Sequence, residues 1–138
     1  MCSSDLLAKN RIQYDPEKLQ IAVCGLSGSG KSSLINAFRG LKKNSREAAP
    51  TGVVETTMAI TRYPEPRKEL PYNRIVWFDC PGAAGTFENP GWEYFNQQGL
   101  FIFDIIVLVC YSVTISIKFI SSYCRLIVSF ILLAFHSD

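Results

Sequence analysis

Residues 21–33 read Ile-Ala-Val-Cys-Gly-Leu-Ser-Gly-Ser-Gly-Lys-Ser-Ser, and this stretch decides the fold. Gly25, Gly30, Lys31 and Ser32 occupy the fixed positions of the pattern G-x-x-x-x-G-K-[ST]. In that pattern a strand runs into a glycine-rich loop, and the loop opens a helix whose N-terminus faces the phosphates of a ligand. The stretch therefore predicts a phosphate-binding loop between a strand and a helix.

The residue types in this loop each have a chemical reason. Backbone N–H groups can surround phosphate charges, and glycines permit the close approach and positive φ that this requires. Lys31 is placed to reach the β- and γ-phosphates, and the Ser32 hydroxyl is placed to hold a Mg²⁺ that bridges them. We predict that nine consecutive residues contact the nucleotide phosphates: Gly25, Leu26, Ser27, Gly28, Ser29, Gly30, Lys31, Ser32 and Ser33.

The elements around the loop predict an α/β fold. Apolar and β-branched runs predict four strands, and apolar spacing predicts a helix after the loop and short helices near the N-terminus and before the last strand. The order favours a mostly parallel sheet with helices on both faces, the three-layer sandwich of P-loop NTPases, truncated after about four strands. The predicted strands cover residues 19–24, 53–63, 74–78 and 105–113, and the predicted helices lie before residue 15 and over 32–39 and 91–100.

A second motif follows 48 residues after Lys31, where Asp79-Cys80-Pro81-Gly82 fits D-x-x-G at the end of a predicted strand. In GTPases this carboxylate faces the Mg²⁺, usually through water, and the glycine N–H can sense the γ-phosphate. A threonine between the two motifs, Thr56 or Thr57, would complete the Mg²⁺ shell, and Thr57 is preferred. The predicted metal ligands are Ser32, Thr57 and Asp79, and Gly82 joins the nucleotide-binding residues.

The sequence does not identify a catalytic residue. The position after D-x-x-G is Ala83, which cannot orient an attacking water as the glutamine of Ras-like enzymes does. Thr86 and Glu88 are weak replacements, and His136, the single histidine, lies in the tail and is judged incidental. We therefore predict slow intrinsic hydrolysis, with faster turnover requiring groups from a partner or from a second copy.

Composition narrows the functional classes. The formal net charge of +2 is too small to argue for nucleic acid as a partner. The five cysteines lie far apart without a C-x-x-C pair, so they favour reduced thiols over a zinc site or a disulfide scaffold. The N-terminus lacks the pattern of a signal peptide. These features predict a cytoplasmic protein.

Taken together, the motifs resemble the immunity-related GTPases of the interferon-inducible p47 type. The resemblance spans about residues 15–113, and residues 51–57 (TGVVETT) are its most family-specific part. It implies a dynamin-like GTPase that binds GTP and GDP with Mg²⁺, self-associates in the GTP state and contacts intracellular membranes peripherally. The other matching stretches are 25–40 (GLSGSGKSSLINAFRG), 77–82 (WFDCPG), and 94–95 (YF) followed by 103–106 (FDII).

The chain also departs from this family. The guanine-reading motif, Asn/Thr-Lys-x-Asp, is absent, since the one lysine after Asp104 is Lys118 and is followed by Phe-Ile. The choice of guanine over adenine therefore rests on the resemblance alone. An alternative function is a non-catalytic, truncated fragment that acts through assembly or membrane contact. An ATP-using P-loop enzyme is a third, disfavoured by the D-x-x-G form and by TGVVETT.

The domain division that we predict is an N-terminal segment at 1–17, a partial G domain at 18–114 and an apolar tail at 115–138. In the tail, polar residues recur at helical spacing (Lys118, Ser122, Arg125 and Ser129). Three alternatives remain for it: a helix on the sheet, non-native sequence from a truncated or misspliced gene model, or a membrane segment. Arg125 opposes the last, at a cost of about 2.5–3.5 kcal/mol. Without a fifth strand, residues 105–113 would form an exposed apolar edge, and the chain would be only marginally stable.

Overall fold

A computed structural model describes residues 3–52, 59–82, 91–110 and 127–132 of the chain. Within these ranges the backbone forms three α-helices and five strands, with two short 3₁₀ turns at Tyr72–Arg74 and Leu100–Ile102. In chain order the elements are α1 (Ser3–Ile12), β1 (Leu19–Gly25), α2 (Lys31–Phe38), β2 (Thr61–Pro64), β3 (Ile75–Asp79), α3 (Gly91–Gln98), β4 (Ile105–Cys110) and β5 (Ile127–Leu132).

The strands form a single sheet in the order β2-β3-β1-β4-β5. β1 pairs in parallel with β3 and with β4, β4 pairs in parallel with β5, and β2 runs antiparallel to β3. The predicted mostly parallel α/β sheet is therefore observed. In the register of β1 with β3, Val23 lies opposite Asp79. The carboxyl ends of these two strands consequently lie side by side.

Both faces of the sheet are covered because the central strands alternate between two apolar clusters. On one face Ala22 and Cys24 join residues of α1 and α3, among them Ile12 and Tyr94. On the other face Ile21, Val23 and Trp77 pack with Leu34 and Ile35 of α2. Strands buried on both sides are typical of parallel sheets with crossover helices, and their near-continuous apolar runs were the signal in the sequence.

Most predicted elements are found within one to three residues of their expected bounds. α2 ends at Phe38, and Gly40, predicted to terminate it, has a left-handed φ of 66° two residues later. There the N–H groups of Gly40 and Leu41 donate to the carbonyls of Ala37 and Asn36, which is the Schellman pattern. The predicted strand at 53–63 is found only at its end, in β2, and residues 53–58 lie outside the described residues.

The tail gives one correction, because residues 127–132 form β5 and not a helix. β5 pairs with β4 along six positions, from Ile105 opposite Ile127 to Cys110 opposite Leu132. The helical spacing of polar residues led to a wrong prediction here, because the run Ile-Val-Ser-Phe-Ile-Leu is rich in residues that favour strands. As a strand, this run can also pair with the backbone N–H and C=O groups at the edge of β4. The prediction that β4 forms an exposed edge is wrong for the same reason. The remaining tail lies outside the described residues, and the predicted domain division stays a prediction.

Among the helices of the described residues, none has the length and apolar character needed to cross a membrane.

A buried carboxylate joins β2, β3 and the end of α2. Glu65 is 5% exposed, and it accepts hydrogen bonds from Trp77 Nε1 at 3.0 Å and from Arg67 Nε at 2.6 Å. Arg67 also donates to the carbonyl of Phe38, whose ring stacks on Trp77 at 5.1 Å between centroids. Burial alone would raise the pKa of the Glu65 carboxyl, but the hydrogen bonds from Arg67 and Trp77 outweigh it and hold the pKa below its usual value. The ionised form is therefore the one that stabilises this junction.

We predict that Glu65→Gln lowers the free energy of unfolding at pH 7 by about 1–3 kcal/mol, since a charge-assisted bond to Arg67 is lost. A carboxyl whose folded pKa is depressed stabilises the fold above its unfolded pKa, and this contribution disappears as pH falls through the folded pKa. The difference between the two proteins should thus shrink on acidification. Urea unfolding of wild type, Glu65→Gln and the exposed control Glu17→Gln at pH 7 and near pH 4 measures it. A difference that is independent of pH would contradict the assignment.

The junction of β1 with β4 predicts that Gly25 does not tolerate a side chain. Its φ is 152°, and a Cβ added there would lie 2.3 Å from the Val109 carbonyl oxygen. Overpacking costs about 1–3 kcal/mol, and backbone strain adds to it. Gly25→Ala should therefore reduce stability more than Gly40→Ala, which has a positive φ but nothing within 4 Å of the new Cβ. The midpoints of thermal unfolding of both variants provide the comparison, and equal losses would contradict it.

Candidate functional site

The predicted phosphate-binding loop lies at the carboxyl end of β1, between Gly25 and the start of α2. Gly28 and Gly30 have φ values of 73° and 87°, in the left-handed region that favours glycine. Between them, the Ser29 N–H donates to the Leu26 carbonyl at 3.2 Å, which closes a tight turn. Because the N-cap residue of α2 is Gly30, no side chain at that position competes for the first N–H groups of the helix. These groups and the helix dipole suit an anion.

Lys31 projects over the loop that precedes it. Its residue surface is only 7% exposed, and its Nζ donates to the Leu26 carbonyl oxygen at 2.9 Å. A buried ammonium is costly unless it is hydrogen-bonded, so this contact keeps the charge inside the curve of the loop. The cation is thus concentrated where the loop pattern places phosphate oxygens.

Ser32 and Asp79 lie 47 positions apart in the sequence, and α2 and β3 bring them together. Ser32 lies in the first turn of α2, and Asp79 is the last residue of β3 and 1% exposed. The Ser32 Oγ donates a hydrogen bond to Asp79 Oδ2. Both residues are predicted ligands of one Mg²⁺, and their oxygen atoms are in direct contact beside the loop.

Ser29 supplies a further polar atom of the loop. It is 2% exposed, and its Oγ has no hydrogen-bond partner within the described part of the chain. Buried hydroxyl groups are normally paired, so a group in this state is suited to an external partner. Leu26 is half-buried, and Ser27, Gly28 and Ser33 are exposed.

The second motif continues from β3 into an ordered turn. The Cys80 N–H donates to the Val23 carbonyl of β1 at 3.1 Å, so the turn is attached to the central strand. Beyond it, the hydroxyl of Tyr94 on α3 donates to the Pro81 carbonyl oxygen at 2.5 Å. Burial, together with the nearby Cys24 and Cys80 thiols, raises the pKa of Tyr94 far above its usual value. Tyr94 therefore stays a hydrogen-bond donor.

Asn36 of α2 and Arg39, which follows the helix, bind the backbone on either side of the segment that contains the threonine candidates. Asn36 exchanges two hydrogen bonds with the backbone of Ala49, at 2.9 and 2.7 Å. Arg39 donates to the carbonyl of Glu47 at 2.8 Å and to that of Pro64 at 3.0 and 3.2 Å. The chain is thus fixed to α2 on both sides of residues 50–63.

Sequence reasoning missed Asn36, Arg39 and Tyr94. Asparagine is a poor residue for a helix interior, so Asn36 beside the apolar Leu34 and Ile35 was a usable signal for a buried side-chain contact. Arg39 begins the locally basic stretch 39–46, whose charged residues are typical of a solvent-exposed loop. Nothing local distinguishes Tyr94 from an ordinary core aromatic, because its acceptor lies 13 positions earlier in the chain.

Several predicted positions lie outside the described residues. They are Thr56, Thr57, Ala83, Thr86, Glu88 and His136. The predicted role of Thr57 as a metal ligand and nucleotide contact therefore stays a prediction, as does the assignment of Ala83 to the position of the water-orienting residue.

Comparison with known proteins agrees with this geometry. The model of the family "Interferon-inducible GTPase (IIGP)" matches residues 6–119. The chain is 41% identical over 91 residues to T-cell-specific guanine nucleotide triphosphate-binding protein 2 of Mus musculus, covering 66% of this chain and 21% of that protein. It is 41% identical over 98 residues to Interferon-inducible GTPase 5 of Bos taurus, covering 69% and 19%, and 36% identical over 97 residues to Interferon-inducible GTPase 1 of Mus musculus, covering 70% and 22%.

The chain spans about a fifth of the length of these relatives. The match covers every element from β1 to β4 together with the loop, the D-x-x-G turn and the two helices of the site. It confirms the predicted resemblance and the predicted fold class, a P-loop α/β fold with a mostly parallel sheet. This chain belongs to the interferon-inducible GTPase (IIGP) family.

Proposed function

We propose that the chain binds GTP and GDP together with Mg²⁺ through residues 25–33, and that it hydrolyses GTP slowly. The observation that carries the proposal is the contact between the Ser32 hydroxyl and the Asp79 carboxylate beside the loop. A hydroxyl and a carboxylate at the mouth of a phosphate-binding loop are the protein's share of a nucleotide-bound magnesium site.

The residues present fit this ion. Mg²⁺ prefers hard oxygen donors and is commonly held by one or two protein groups, phosphate oxygens and water. Ser32 would hold the ion directly and Asp79 would orient it, while the ion neutralises negative charge on the phosphates. The buried hydroxyl of Ser29 and the ammonium of Lys31 lie in the same loop and complement phosphate oxygens.

The choice of guanine comes from the family and from the name of one relative, which describes that protein as binding guanine nucleotide triphosphate. In this chain no Asn/Thr-Lys-x-Asp motif supports it. Slow hydrolysis is proposed because Ala83 has no polar side chain at the position that orients water in Ras-like enzymes. Faster turnover would then need groups from a partner or a second copy.

Self-association through the G domain and peripheral contact with intracellular membranes remain predictions from the family resemblance. A cytoplasmic location is likewise a proposal. Cys24 and Cys80 support it, since both are free, buried thiols, which suits a reducing compartment.

A second candidate function is a non-catalytic fragment that acts through assembly or membrane contact. The missing guanine-reading motif favours it. The two functions differ in whether the chain alone binds nucleotide, and the following titration separates them.

We predict that fluorescent GDP and GTP bind more tightly than fluorescent ATP, and that Lys31→Ala weakens binding. Losing a charge-assisted bond of about 1.5–3 kcal/mol corresponds to about a 10- to 150-fold increase in Kd. The exposed Lys42→Ala removes the same charge outside the loop and should leave Kd unchanged. Preference for ATP would refute the guanine assignment, and the absence of any binding would favour the second candidate.

We further predict that Ser32→Ala reduces the gain in GTP affinity that Mg²⁺ provides. The reason is that the hydroxyl, and not the backbone, would ligate the ion. Titrations in excess Mg²⁺ and in EDTA give this gain for each protein. Ser3→Ala is the control, because Ser3 is an exposed serine of α1 outside residues 25–33. A Mg²⁺ effect in Ser32→Ala as large as in wild type would contradict the site.

A further inference from the structure

We propose that Tyr94 is a positioning residue that orients the Gly82 N–H toward the γ-phosphate position, so that α3 sets the preference for GTP over GDP. The inference rests on the proposed function.

The Tyr94 hydroxyl contacts the peptide group that carries the Gly82 N–H. Tyr94 donates to the carbonyl oxygen of Pro81, at 2.5 Å. That carbonyl belongs to the peptide group whose N–H is that of Gly82. A peptide group is planar and trans, so its C=O and N–H point in opposite directions. Fixing the Pro81 carbonyl toward α3 therefore directs the Gly82 N–H away from α3.

Packing in the core fixes the position of the donor, Tyr94. The Tyr94 ring packs against the apolar cluster that contains Cys24, Phe78 and Cys80. Since α3 contributes both Tyr94 and Phe95 to this cluster, the helix cannot shift without disturbing the core. The hydroxyl is thus held by packing and not by the turn that it contacts.

The D-x-x-G turn is also held from the side opposite Tyr94. The Cys80 N–H donates to Val23 of β1, and Asp79 accepts from Ser32 of α2. The peptide group between Pro81 and Gly82 is the next unit along the chain. With β1 and α2 fixing one side and Tyr94 fixing the other, one rotation of this peptide group is selected.

A purely structural role for Tyr94 makes a different prediction. If the hydroxyl only helped α3 to pack, its loss would lower stability, or would weaken GDP and GTP binding alike. If it orients Gly82, its loss affects the ligand with a γ-phosphate and spares GDP. The ratio of the two affinities therefore separates the roles.

The test uses the full chain and the variant Tyr94→Phe, which keeps the ring and removes only the hydroxyl. Fluorescent GDP and a non-hydrolysable GTP analogue are titrated in Mg²⁺. We expect the Kd for the analogue to rise about 2- to 10-fold, as for one hydrogen bond, while the Kd for GDP stays within twofold. Tyr14→Phe is the matched control, because Tyr14 packs against the same cluster but follows α1, away from the turn.

A second measurement does not depend on nucleotide. Hydrogen–deuterium exchange of the peptide containing Gly82 should be faster in Tyr94→Phe than in wild type or in Tyr14→Phe. Unchanged exchange, or equal losses of GDP and analogue affinity, would overturn the inference and leave the proposed function standing. If wild type binds neither ligand, the proposed function fails and the role of Tyr94 fails with it.

Discussion

The parallel pairing of β1 with β3 is the constraint on which the site depends. With Val23 opposite Asp79, the loop leaves β1 beside the end of β3, and the first turn of α2 comes over the carboxylate. A buried carboxylate is costly unless hydrogen bonds compensate it, and the Ser32 hydroxyl supplies one of them. A shift in this register would separate the two motifs and leave Asp79 among apolar side chains. The apolar pattern of both strands sets their register, and the register determines both the core packing and the contact between Ser32 and Asp79.

Helix α2 connects this sheet edge to the rest of the site. Leu34 and Ile35 pack on the sheet, and Asn36 and Arg39 hold the backbone on both sides of residues 50–63. Phe38 stacks on Trp77, which extends the contact to Glu65 and Arg67. The helix that begins at the loop, together with Arg39 just after it, thus also holds Ala49 and Pro64.

The sequence was informative wherever a local pattern determines structure. The loop motif lies within 13 consecutive residues, so its structure is determined locally. The apolar runs of β1, β3 and β4 are typical of buried strands and were predicted as such. The two motifs were expected to share one Mg²⁺, and the structure brings Ser32 and Asp79 together because the loop and β3 end at the same edge of the parallel sheet. What could not be predicted depends on distant partners. The acceptor of Tyr94 and the backbone held by Asn36 are set by loop paths, and the strand at 127–132 is decided by an available edge on β4.

The charges of the site explain why a phosphate ligand with a divalent cation suits it. Lys31 donates to a neutral carbonyl and Asp79 accepts from a neutral hydroxyl, although both charged groups are buried. Hydrogen bonds to neutral groups reduce the cost of burying a charge. In the proposed complex, phosphate oxygens would bring negative charge to Lys31, and Mg²⁺ would bring positive charge to Asp79. Because such a ligand binds the folded state, it would also stabilise the sheet edge that β1 and β3 form together.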